Sequence, residues 1–338
     1  MKKILTFHYP ENYGAFLQCF ALQSKLNASV VDFVPGWRFF IGKKARKIPV
    51  IGFILGCVRR HFAQAGFSEK KFLNLKKFDK KDSDGIYIAG SDQIWNPRCI
   101  GNLYDVYFLS FLSDSVKRIS YAASLGMKQW PKDFESKILP SLKKFSAVSV
   151  REESSVTYLS SLGLENVVCV CDPTILYDGE FYRKSFNLEK KNHPVPFVYR
   201  IRENIPEAVL CIICRSSEQR HVVDLNDKST VCSVTEWLSN IDNASFVVTD
   251  SFHCAVFCIL FHKPFIVLAN HGPGRGMNER FQTLLGKTGL LYRVLSQEMT
   301  ADCVLELLQK PVDWMKIDMI MEEWRSYSAN WLKEAIKK

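Results

Sequence analysis

Short apolar, β-branched runs alternate along this chain with helix-length amphipathic segments, and that alternation restricts it to an α/β fold. Strand patterns cover 3–7, 30–34, 85–89, 118–123, 147–150 and 167–170, interleaved with helix patterns over 14–26, 133–144 and 152–162. The pattern breaks at Asp172-Pro173-Thr174, because a proline disfavours helical geometry in the residue before it. A polar stretch through His193-Pro194-Val195-Pro196 follows, and the alternation then restarts. Strands are expected at 197–201, 209–214, 245–248 and 265–268, with helices at 234–241, 252–261, 280–287 and 301–309. The 338 residues are enough for two cores. The expected architecture is two Rossmann-like domains, 1–175 and 176–315, facing a cleft. A C-terminal helix, 316–338, would pack back on the first domain. In such sheets ligands meet the loops at the strands' carboxyl ends.

Charge singles out one segment. Between Gly36 and Lys80 stand twelve Lys/Arg against Glu69 and Asp79, an excess that equals the formal +10 of the whole chain. Trp37, Phe39, Phe40, Phe53, Phe62 and Phe67 lie among them. The first domain therefore carries a basic, aromatic insertion, 36–80. Its composition suits peripheral contact with a membrane or an anionic partner, and equally a solvated insertion. No nucleic-acid motif accompanies the charge, so nucleic acid is not an expected partner. Met1-Lys2-Lys3 leads straight into a strand pattern, and the longest apolar run, 48–58, is too short to cross a bilayer. The expectation is a soluble, cytoplasmic protein. The eleven cysteines sit inside apolar patterns and are expected to be buried and reduced. Cys211-Ile212-Ile213-Cys214 has half-site spacing for a metal but no companion pair, so no metal is assigned.

Five strand ends carry residues able to do chemistry. After the first strand come Asn12-Tyr13-Gly14, where a glycine opening a helix permits either close approach of a phosphate or a tight turn. After 85–89 come Ser91, Asp92, Gln93 and Asn96, a set that either binds a polar ligand or is held by internal hydrogen bonds; Ser124 closes the next strand similarly. Arg151 follows Ser149-Val150, where a guanidinium could grip a carboxylate or phosphate, or pair with Glu152, Glu153 or Asp172. Thr249-Asp250-Ser251-Phe252-His253 places an imidazole in the first turn of a helix, suited to acid–base work. G-x-S-x-G, P-loop and G-x-G-x-x-G motifs are all missing.

Six segments in order (Gly90–Asn96, Ser120–Gly126, Ser149–Glu152, Asp172–Thr174, Thr249–His253 and Asn278–Phe281) resemble the polysaccharide pyruvyl transferase family. The resemblance implies a GT-B-like pair of domains and transfer of the pyruvyl group of phosphoenolpyruvate to a sugar, forming a pyruvate ketal and releasing phosphate. The acceptor would belong to a cell-surface polysaccharide or its lipid-linked precursor, at the inner face of the cell membrane. Phosphoenolpyruvate would be a co-substrate, with no resident cofactor or metal. The same resemblance makes His253 and Arg151 the catalytic pair and lines the cleft with Asn12, Tyr13, Gly14, Ser91, Asp92, Gln93, Asn96 and Ser124. Some members carry Arg-Leu-His where this chain has Ser251-Phe252-His253, so the phosphate charge falls to Arg151 with Arg280, Arg215 or the helix N-terminus at Ser251. Two alternatives share the architecture: a GT-B-type glycosyltransferase using a nucleotide sugar, and a non-catalytic glycan-binding scaffold.

Overall fold

The β-branched runs of the first half pair side by side in parallel. In the computed structural model, which describes residues 1–8, 12–35, 72–79, 81, 84–216, 219–271, 276, 278–295 and 299–337, they form a five-stranded sheet. Its strands are β1 (Lys2–Leu5), β2 (Ser29–Asp32), β3 (Leu75–Lys77), β4 (Ile86–Ala89) and β5 (Lys117–Ser120), in the order β3-β2-β1-β4-β5. Bridges Ile119↔Ala147 and Ala123↔Val150 continue it to β6 (Ser149–Val150), which pairs in parallel with β7 (Val168–Cys169). The second half forms another parallel sheet from β8 (Val195–Arg200), β9 (His221–Asp224), β10 (Ala244–Thr249), β11 (Phe265–Leu268) and β12 (Val294–Leu295), ordered β12-β11-β10-β8-β9. Parallel sheets are covered on both faces, which is why Ile4, Leu5, Ile88, Val247 and Val248 are all fully buried.

Each sheet has one point where its winding reverses. The chain leaves β1 toward β2 and returns on the other side at β4; likewise β9 and β10 flank β8. Crevices open at such switch points, outside the carboxyl ends of the strands. The β4 end carries Gly90-Ser91-Asp92, and the β10 end carries Asp250-Ser251-Phe252-His253. Helix Tyr13–Leu26, capped at its start by Asn12 and closed by left-handed Asn27, lies buried between the first sheet, the turn Pro173–Leu176 and helix Phe252–Leu260.

The C-terminal helix Trp314–Lys337 does pack back across the first half. Its Ser328 Oγ accepts from the Cys171 amide, Arg325 donates to the Ile175 carbonyl, and Trp331 lies against Tyr121.

Three readings of the sequence need correction. Residues 209–214 lie in helix Glu207–Ser216, with Val209, Ile212 and Ile213 buried against Val304 and Leu308; the strand is β9. A short apolar run does not by itself separate a strand from a buried helical stripe. Within that helix Cys214 is exposed rather than buried, and Cys211 is half-buried. The segment 36–80 is not all insertion, since Leu75–Lys77 is the edge strand β3, paired with β2. The rest of its basic and aromatic run, 36–71 and 80, and with it the expected membrane contact, lies outside the described residues. Among the described residues no helix is long and apolar enough to cross a membrane.

Candidate active site

Where the two crevices meet, one carboxylate gathers residues from four strand ends. Asp172, after β7, is completely buried, and its Oδ1 accepts from the Thr174 amide at 3.0 Å and hydroxyl at 2.7 Å. Its Oδ2 accepts from Arg151 Nη1 at 2.7 Å and from the Ser91 hydroxyl at 3.1 Å. His253 Nε2 lies 3.4 Å from the same oxygen, at ion-pair distance but without hydrogen-bond geometry. Burial by itself would raise the Asp172 pKa; His253 and Arg151 outweigh it and hold the carboxyl well below the usual carboxylate range. Arg151, buried too, is kept protonated against that burial by Asp172, Glu152 and Asp92.

The guanidinium of Arg151 is only half engaged. Nη1 is on Asp172, whereas buried Nε and Nη2 carry no hydrogen bond among the described residues. Glu152 and Asp92 stand 3.6 Å and 3.9 Å from them. The Nε–Nη2 edge is the side of a guanidinium that takes a carboxylate or phosphate in two parallel bonds. Two cations lie over the ring of Phe252, the Arg151 guanidinium 4.7 Å and the Arg280 guanidinium 5.5 Å from its centroid. Burial, and then repulsion from Arg151, brings the Arg280 pKa down to about 10. A second cation therefore stands at this site against its own desolvation, a setting that favours binding an anion.

Gly14 fits this group for a steric reason. A Cβ on Gly14 would sit 1.9 Å from His253 Nδ1, so only a glycine lets the imidazole lie against the start of that helix. Ser251 caps the His253 helix, accepting from the Cys254 amide at 3.4 Å, and Asn12 caps the facing helix through Gly14 N and Ala15 N. Ser124 donates to Glu152 at 2.5 Å.

Some expected ligand contacts are instead structural. Tyr13 is fully buried, stacked 5.0 Å from Trp237, with its hydroxyl donating to the Cys232 carbonyl. It fastens the first half to the second and has no face left for a ligand. Asn96 Nδ2 donates to Gln93 Oε1 at 2.7 Å and Asn96 caps the next helical turn, whereas Ser91 donates to Asp172 and Asp92 stands 3.9 Å from Arg151. Arg215 is exposed in the last turn of helix Glu207–Ser216, away from this group, and Arg280 is the cation that the fold brings in. In the sequence Asp172 stood out as a member of a family-like segment and as one of several partners for Arg151, without a role of its own. Its place at a strand's carboxyl end, in an Asp-Pro-Thr cap, was the available signal. Asp250 also went unread: its carboxylate accepts from the Ile201, Arg202 and Glu203 amides and fixes the loop after β8.

A family model described as polysaccharide pyruvyl transferase matches residues 12–272, which includes Arg151, Asp172 and His253. No curated protein matches the chain by sequence. Among solved structures, the chain is similar to a Listeria monocytogenes protein named as a candidate UDP-N-acetylglucosamine 2-epimerase, with a TM-score of 0.54, 11% identity, and 99% of this chain and 95% of that one covered. It is likewise similar to the Neisseria meningitidis UDP-GlcNAc 2-epimerase bound to UDP-GlcNAc, at TM-score 0.51, 11% identity and coverage of 99% and 100%. A third is Arabidopsis thaliana UGT89C1 complexed with UDP-L-rhamnose, at TM-score 0.50, 9% identity and coverage of 99% and 98%. At such identities the likeness is one of fold, and that fold is the GT-B-type pair of Rossmann-like halves.

Proposed function

This chain belongs to the polysaccharide pyruvyl transferase family, and on that premise we propose that it transfers the pyruvyl group of phosphoenolpyruvate to two hydroxyls of a sugar, forming a ketal. The acceptor would be a sugar of a cell-surface polysaccharide or of its lipid-linked precursor. One observation carries the reading: the Nε–Nη2 edge of Arg151 and the Nε2 of His253 are buried without hydrogen bonds among the described residues, in two side chains that share Asp172. Buried donors left without partners are costly unless a ligand supplies them.

In this reading Arg151 holds the donor's carboxylate or phosphate in a fork, and Arg280, over the same Phe252 ring, adds charge. His253, as imidazolium, gives its proton to the methylene carbon and leaves an oxocarbenium-like centre at the neighbouring carbon. One sugar hydroxyl adds there, and a second displaces phosphate. The two hydroxyl protons balance the one gained by the methyl group and the one carried off on phosphate. Asp172 lies between His253 and Arg151 and orients both.

The direct test is phosphate release from phosphoenolpyruvate across galactose- and mannose-type acceptors. Release should depend on an acceptor, and saturating phosphoenolpyruvate should raise the melting temperature. At a hundredfold excess over Kd the expected stabilisation is about 2.7 kcal/mol. A rise with a nucleotide sugar and none with phosphoenolpyruvate would replace this reading with glycosyl transfer.

Gly14→Ala tests the geometry separately. Alanine is favoured over glycine within a helix by about 1 kcal/mol, so the fold should persist. The added Cβ must nonetheless push the imidazole aside. A displacement of about 1 Å can lower turnover about 10²-fold, and phosphate release with unchanged far-UV circular dichroism measures it. Wild-type turnover in this variant would mean that the ring's observed position is not the working one.

A further inference from the structure

Three carboxylates surround Arg151, and two of them are committed. Asp172 accepts from Thr174, Ser91 and Arg151. Glu152 accepts from Ser124 at 2.5 Å and from Ser155 at 3.4 Å. The Asp92 carboxylate has no hydrogen bond among the described residues; its nearest charged neighbour is Arg151 Nη2, at 3.9 Å. Its side chain keeps 6% exposure against 0% for Asp172 and 2% for Glu152, so Asp92 is the most open of the three to the crevice.

The backbone aims that side chain. Asp92 has φ 68°, in the left-handed region, where aspartate and asparagine are the least disfavoured residues after glycine. The conformation is held by the bridge Asp92↔Ala123 and by the Ser124 amide donating to the Asp92 carbonyl at 2.9 Å. A residue held in a sparsely populated conformation at a strand's carboxyl end, in a switch-point crevice, is where strain is kept for function.

Charge then decides which substrate Asp92 faces. The proposed donor is a multiply charged anion, and a carboxylate is no ligand for an anion. The acceptor is a neutral, hydroxyl-bearing sugar, and a carboxylate without a hydrogen bond can take its proton. Resting on the reaction proposed above, we infer that Asp92 is the catalytic base that deprotonates the attacking sugar hydroxyl. The oxygen lone pair forms the C–O bond at the donor's central carbon, the O–H bond breaks, and the proton passes to the Asp92 carboxylate. His253 has already given its proton to the methylene carbon. The proton on Asp92 returns to solvent as His253 regains one, and phosphate leaves with the proton of the second hydroxyl.

The test uses Asp92→Asn and Asp92→Gly in the full chain, both compatible with φ 68°. With Asn, kcat for phosphate release should fall at least about 10²-fold, the lower bound for losing a general base, while the melting shift with phosphoenolpyruvate stays as in wild type. With Gly, added formate should raise turnover in proportion to its concentration, because a small carboxylate can occupy the cleared space; a merely structural role would not respond. Wild-type kcat in Asp92→Asn would overturn the inference alone, as would loss of phosphoenolpyruvate binding in step with kcat or an Asp92→Gly enzyme indifferent to formate. A wild-type protein that releases no phosphate with any acceptor would overturn the proposed reaction, and this inference with it.

Discussion

Replacing Arg151 with methionine is expected to destabilise the protein by about 3–5 kcal/mol, the usual penalty for removing one partner of a buried ion pair. It should also abolish the melting shift with phosphoenolpyruvate. Asp172, Glu152 and Asp92 lie within 4 Å of the guanidinium, at 2.7, 3.6 and 3.9 Å, and methionine would leave these buried carboxylates facing one another. Arg151→Lys separates the two losses. Lysine keeps a charge near Asp172 and should recover part of the stability, but a point charge cannot reproduce the Nε–Nη2 edge, so the donor should still bind poorly. Denaturant unfolding and thermal shift on the same preparations measure both quantities. A methionine variant as stable as wild type, with its donor response intact, would remove Arg151 from the site.

The other large effect expected is on the reaction. His253→Ala should lower phosphate release about 10²–10⁴-fold, the contribution usual for a positioned acid or base. Its effect on stability should be smaller than that of Arg151→Met, because Asp172 keeps Arg151, Ser91 and Thr174 as partners. The Gly14→Ala substitution supplies an internal control. If its defect arises from displacing the imidazole, then adding Gly14→Ala to His253→Ala should cost far less than it does alone, because the ring atoms it meets at 1.9 and 2.3 Å are gone and only the Cβ, at 2.8 Å, remains. Additive losses in the double variant would show that Gly14 acts through something other than His253, and full ketal formation by His253→Ala would sink the catalytic assignment.

Much of the architecture was legible because its signals are local. The β-branched runs at 3–7, 85–89 and 265–268 state their own strands, and the amphipathic pattern over 14–26 states its helix. Local pattern failed where two structures satisfy it equally. Residues 209–214 are apolar enough for a strand, and only Val304 and Leu308 on a distant helix decide that they coil. The loop 91–96 has the composition of a binding loop, yet Asn96 donates to Gln93 and caps the next helical turn. Tyr13 lies beside Gly14 in the chain, but one is a core aromatic and the other shapes the site. That difference is set by Trp237 and His253, both more than two hundred residues away.

The sequence by itself determined the α/β class, the paired halves, the family and the two residues at the centre, Arg151 and His253. These rest on periodicity and on motifs carried in order along the chain. Only the tertiary structure decided what those residues are to each other. Asp172 joins Arg151, 21 residues before it, to His253, 81 residues after it, and Arg280 rather than Arg215 became the second cation. The physical reason is that electrostatic and steric coupling depends on distances of a few ångströms, which local sequence does not encode. They are fixed when two sheets bring their switch points together across the buried Tyr13–Leu26 helix, and it is then that the Asp92 carboxylate is left without a hydrogen bond among the described residues.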